Sequence, residues 1–222
     1  MEQLPVPQGI QVNGFDGLVA VVLAAGLFVG KKRGMSVELL DLLQWLLIVV
    51  IGGLYHEPLG KLLSSAAKMS LVVAYIICYV TIGVGIKISF SYLKRALGEK
   101  LVGSDIFGRA EFYLGMLAGM VRFACMVLFG FSLLNAWYID PAKIDAGIAK
   151  QKEELGSTFF PSFGEIQRAI VYKSATGNFV RKHLQEQIIP ATPYVAQALP
   201  AAGKQREKEV WDAIDGKAPP KK

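Results

Sequence analysis

The chain has 222 residues, a formal net charge of +6, 53% hydrophobic residues and a mean hydropathy of +0.40. This is too apolar for an ordinary soluble domain, and almost all of the hydrophobicity lies between Phe15 and Tyr138, which points to one membrane domain with a small polar extension. With only two cysteines, both inside apolar segments, and two isolated histidines, the composition leaves no room for a disulfide framework or a Cys/His metal site.

Residues 1–14 contain Pro5, Pro7, Gly9 and Gly14 without a single Lys or Arg and read as an irregular lead-in. They lack the basic start and short apolar run of a cleavable signal, so the first helix is expected to act as its own insertion signal. Four apolar segments follow, at about 15–30, 35–55, 69–90 and 113–138, within a membrane domain of residues 15–138. A helix needs roughly 20 residues to cross about 30 Å of hydrocarbon, so the first segment spans only if its flanks are drawn in or the bilayer thins. Lys31, Lys32 and Arg33 form a basic elbow between the first two segments. Residues 54–68, with His56, Glu57, Pro58 and Lys61, read as a loop or short surface helix, and 94–109 as a second basic connection. Gly26, Gly30 and Gly34, like Gly115 and Gly119, recur every fourth residue, the small-xxx-small spacing that lets another helix approach closely.

After Tyr138 the periodicity becomes that of amphipathic helices outside the membrane. Asp140-Pro141 opens one expected to run to about Gly156; Ser162 and Glu165 have capping-box spacing; a third starts near Asn178. Residues 139–200 thus read as an extramembrane helical region without a core of its own, expected to lie on the membrane domain or a partner. Residues 201–222 read as a mostly disordered tail with one marginal helix over 203–214. The fold class is all-α: an integral membrane four-helix domain followed by short amphipathic helices.

The elbow and the 54–68 loop hold opposite ends of the spans, and seven cations at 31–33 and 94–109 stand against two at 54–68 and none in the lead-in. The positive-inside rule then puts the elbow in the cytoplasm and both termini outside.

Asp16 opening the first helix, Arg33-Gly34 at the elbow, then Glu38 and Trp45 on the second helix resemble the amino-terminal half of the colicin V production protein family of bacterial inner-membrane proteins. A second block, Glu111 followed by Gly115, Gly119 and Arg122, is similar to that family's acidic residue followed by glycines and an Arg. The pattern departs where the family's usual Asp is Glu111 and the neighbouring Arg is Phe112, with Arg109 displaced toward the amino terminus. The resemblance covers about residues 13–135. It implies a role in toxin production or export and in envelope maintenance.

No phosphate-binding glycine loop, G-x-S-x-G elbow, H-E-x-x-H or paired C-x-x-C is present, so an enzyme is not expected, nor a cofactor or a metal. The candidate site is an intramembrane polar cluster of Glu38, Asp41, Trp45 and Arg122. Arg122 lies nine residues into its segment, roughly 14 Å deep, where a charge demands a partner. Asp41, with Trp45 alongside, is the expected one; Glu38 and Asp41 are also explained by the positive end of their helix, and the cluster by a structural clamp between two helices. Two functions stay open: a non-enzymatic scaffold or accessory protein that binds other membrane proteins, or an oligomeric channel or carrier lined by Arg122, Asp41 and Glu38. The partners expected are the lipid bilayer and other membrane proteins or further copies of the chain, with no nucleic acid.

Overall fold

A computed structural model describes residues 12–102, 108–155 and 161–193. Four long helices, α1 (Gly14–Arg33), α2 (Met35–Ala67), α3 (Leu71–Val102) and α4 (Glu111–Ala136), are each long and apolar enough to cross a membrane. They are followed by α5 (Pro141–Leu155), α6 (Phe163–Gln167), a π-helical turn (Arg168–Tyr172), α7 (Ala175–His183) and a 3-10 turn (Gln185–Gln187). The fold is all-α as expected, apart from a two-residue parallel pairing of β1 (Trp137–Tyr138) with β2 (Thr192–Pro193). The expected helix over 203–214 and the tail lie outside the described residues.

The first helix does draw in its flanks. Asn13 Oδ1 accepts from the amides of Phe15 and Asp16, at 3.0 and 3.3 Å, while Asp16 Oδ2 accepts from the Asn13 amide at 2.9 Å. This capping box starts α1 at Gly14, and 20 residues at 1.5 Å each give about 30 Å, a full span. Gly34 ends it at φ 77°, a conformation that favours glycine, and the chain reverses within one residue into α2.

The loop or short surface helix expected over 54–68 is not a separate element. α2 continues through Pro58 to Ala67, because the polar residues that suggest a break find partners on the helix itself. Glu57 and Lys61 pair at 2.6 Å one turn apart, and buried His56 places Nδ1 3.0 Å from the Gly52 carbonyl with its ring edge-on to Tyr75 and Tyr79. The second basic connection also shrinks, since α3 carries Lys94 and Arg95 within its length.

The helices pack in an open row. α1 lies on α4, α4 on α2 and α2 on α3, whereas α1 and α3 share no substantial contact. The glycine rows make the first of these contacts. A Cβ on Gly26 would stand 2.8 Å from the Gly119 carbonyl oxygen, one on Gly115 would stand 2.5 Å from that of Gly30, and Gly30 and Gly119 are as crowded against Gly115 and Gly26 in return. Both rows are therefore consumed inside the chain, antiparallel helix against antiparallel helix.

The extramembrane region docks on the end of the row opposite the elbow. Val171, Val180 and Ile188 share a buried cluster with Val49, Leu128 and Phe131, and Ile189 is sealed among Tyr75, Tyr79 and Ala136. The polar backbone that this buries is satisfied by the spans: the Ile189 amide donates to Ser132 Oγ at 2.9 Å, Asn135 Nδ2 donates to the Ile189 carbonyl at 2.8 Å, and Asn13 Nδ2 to the Ala169 carbonyl at 2.8 Å. The Ser162/Glu165 capping box forms as expected, with Ser162 N donating to Glu165 Oε2 at 2.7 Å. On the surface, a 2.7 Å hydrogen bond from Arg168 holds the Asp145 carboxyl below its usual range.

Gly119→Ala is expected to force α1 and α4 apart and to cost about 1–3 kcal/mol, visible as a lower melting temperature in detergent. Gly130→Ala, on the same helix with nothing within 4 Å of its added Cβ, is the control and should hold or slightly raise stability.

Candidate functional site

One end of the row concentrates the charge. Asp41, on the second turn of α2, accepts from Arg33 Nη1 on α1 at 3.2 Å and from Arg122 Nη1 on α4 at 3.3 Å, and Lys94 Nζ on α3 hydrogen-bonds its other oxygen. Lys94 also donates to Gln44 Oε1 at 2.9 Å. All four spans thus meet at one carboxylate.

Glu38 lies beneath, with a side chain 0% exposed, 2.7 Å from Arg122 Nε and 3.7 Å from Arg33 Nη1. The short Nε to Oε1 separation is not aligned as a hydrogen bond, and neither Glu38 oxygen has an aligned partner among the described residues. The contact is a charge contact in a dry setting. Arg122, its side chain 8% exposed, is held by both carboxylates, so Asp41 is a partner as expected and Glu38 is the closer one.

Trp45 does not stand beside Arg122. α2 and α4 both run away from the elbow, so they advance in step: Glu38 meets Arg122, and Trp45, seven residues on, meets Phe129, also seven residues on, edge-to-face at 6.0 Å between ring centroids. Two turns separate the tryptophan from the guanidinium, which instead lies 5.0 Å from the ring of its own neighbour Phe123.

The remaining candidates fall into two further contacts. At the elbow, Glu111 accepts from the Ser36 amide at 2.8 Å and from Ser36 Oγ at 3.0 Å, capping α2 from the start of α4. A Cβ on Gly34 would stand 2.5 Å from Glu111 Oε1, so Gly34 supplies both the reversal and the room for this carboxylate. Arg33, Gly34, Glu111 and the Gly115/Gly119 row form one continuous junction. At the opposite end, Asp16 accepts from the amides of Ala175 and Thr176, at 3.1 and 2.7 Å, and from Thr176 Oγ1 at 2.6 Å. With Ser174 Oγ accepting from Gly177 N at 2.7 Å, this starts α7 at Ala175, three residues before the expected Asn178.

Lys94 and Gln44 join the cluster although the sequence reading does not place them there. Gln44 lies three residues after Asp41 on the same helical face, a usable signal; Lys94 was masked by its place in an apparent connection.

An open row of four helices, each long and apolar enough to cross a membrane, locked by a buried charge cluster and carrying a docked helical region, defines a membrane protein. The family model of the colicin V production protein matches residues 15–166, and the chain belongs to that family. No curated protein and no solved structure matches it.

Glu38→Leu and Arg122→Leu are each expected to cost about 3–5 kcal/mol, because each takes from a buried charge its nearest partner, leaving Arg122 with Asp41 or Glu38 with Arg33 at 3.7 Å, whereas the double variant should recover most of the loss. Asp41→Asn should cost less than either, since the Asp41 side chain is 20% exposed and the amide oxygen still accepts from one side of the donor set. Melting temperatures of the wild type, the two single variants and the double variant form the cycle, and additive losses for Glu38 and Arg122 would contradict the pairing. Asp16→Ala should loosen the docked region by about 1–2 kcal/mol, read as faster amide hydrogen exchange over residues 174–184 with α4 unchanged.

Proposed function

We propose that the chain is a non-enzymatic scaffold or accessory protein of the bacterial inner membrane, serving toxin production or export and envelope maintenance. Membership of the colicin V production family ties it to toxin production as a membrane protein. The scaffold role is supported by one observation above the rest: Glu38 and Arg122 are buried against each other inside the chain. Charged groups that line a pathway need water or a passing substrate, whereas these are neutralised by one another and tie α2 to α4, beside the Asp41 carboxylate that gathers all four helices. An open row also encloses no lumen by itself, so a channel would require several copies. Because the glycine rows are occupied within the chain, partner proteins are expected on the lipid-facing sides of α2 and α3 or on the docked helical region.

The experiment uses cells lacking the gene and scores export of a colicin V-type toxin. The Glu38→Leu/Arg122→Leu double variant, provided it melts near wild type, should restore export, as a structural clamp allows. A stable double variant that fails to restore export, together with ion flux from liposomes carrying the wild-type protein, would replace the scaffold by a channel or carrier.

The orientation is part of the same proposal: both termini outside, the elbow in the cytoplasm. In a chain with Cys78 and Cys125 replaced by Ala, an impermeant thiol reagent applied to spheroplasts should label Lys143→Cys and miss Lys32→Cys. Both native side chains are exposed, so labelling reports sidedness, and the reverse pattern would overturn the assignment.

A further inference from the structure

The charge cluster is not balanced. Among the described residues, Arg33, Lys94 and Arg122 face two carboxylates, Glu38 and Asp41, which leaves one positive charge over, and Glu111, at the same end, is turned to Ser36. The excess is not at Arg122, which is sealed between both carboxylates. It sits on the two outer members, whose side chains are 47% exposed in Arg33 and 34% in Lys94 and reach Asp41 from opposite flanks, α1 and α3. A guanidinium carries five N–H donors and an ammonium three. Among the described residues, Arg33 gives one nitrogen to its carboxylates, and Lys94 donates to Asp41 and Gln44 alone. The remaining donors sit on side chains that stay partly exposed.

The surroundings fix what meets those donors. Tyr92, two residues before Lys94, and Phe112 and Tyr113, beside Glu111, are exposed at this end, as are Lys31, Lys32 and Arg95. Exposed tyrosines together with cations at the end of apolar spans mark the headgroup level of a bilayer. Basic pockets between spans at that level take up lipid phosphates. We propose that Arg33 and Lys94 bind the phosphate of an anionic glycerophospholipid, of the phosphatidylglycerol or cardiolipin class. The lipid supplies the missing negative charge of the cluster and bridges α1 to α3, which otherwise share no substantial contact. The assignment rests on charge and exposure and stands or falls independently of the scaffold reading.

The test is native mass spectrometry of the full chain released from nanodiscs of equal phosphatidylglycerol and phosphatidylcholine with identical acyl chains. Wild type should retain phosphatidylglycerol about tenfold over phosphatidylcholine, and about 10 mM inorganic phosphate should not displace it, since the acyl chains hold the lipid in place. Lys94→Gln leaves Asp41 two cations and should bring the ratio near one with the melting temperature held, whereas Lys31→Gln/Lys32→Gln should leave the ratio unchanged. Equal retention of the two lipids by wild type would overturn the proposal, as would displacement by free phosphate or an equal loss in the Lys31/Lys32 variant, which would mean diffuse surface charge. Should Lys94→Gln fail to fold, the wild-type ratio, the phosphate competition and the Lys31/Lys32 variant still decide.

Discussion

A guanidinium and a carboxylate placed away from water must meet each other, and this constraint organises the membrane domain. The desolvation cost of either Arg122 or Glu38 alone is several kcal/mol, more than a marginally stable helix row can carry. Their contact fixes the register of α2 on α4, which places Trp45 on Phe129 and positions Asp41 to collect Arg33 and Lys94 from the outer helices. A polar contact of this kind does what apolar packing cannot do in lipid, where tails are as apolar as leucine and confer no preference for one register over another.

The glycine rows solve the complementary problem. α1 carries Arg33 to the cluster only if its backbone lies close to α4, and the crossing of Gly26 and Gly30 with Gly115 and Gly119 provides that closeness. Glu111 then caps α2 at the point where Gly34 reverses the chain, so the elbow, the glycine crossing and the charge cluster are successive parts of a single junction. The far end is held differently. There Asp16, Ser132 and Asn135, all on the spans, satisfy the backbone of the docked region, which packs on the row instead of building its own core.

Much of this was legible in the residues. Four apolar segments and the capping residues gave the helices, and the four-residue glycine spacing gave the close contact, although not which helix would fill it. The depth of Arg122 demanded a carboxylate and pointed to Asp41; it did not single out Glu38, because the choice depends on the parallel register of α2 and α4. Trp45 was misplaced for the same reason: a shared helical face does not say at which turn the neighbouring helix presents its arginine. The length of α2 was hidden because Glu57, Lys61 and His56 look like loop residues until Glu57 and Lys61 are seen to pair and His56 to pack between tyrosines. Lys94 looks like a connection residue for the same reason, because the polar run that follows Phe90 continues α3 as a helix.

The central claim is that Glu38 and Arg122 form a dry ion contact inside the chain. Solid-state NMR distance measurement between the Glu38 side-chain carboxyl carbon and Arg122 Nε, in lipid bilayers, tests it most directly. The account predicts a separation under about 4 Å with no cross-peak from either group to water, in keeping with ion-pair reach. A separation well beyond that distance, with both side chains in contact with water, would contradict it.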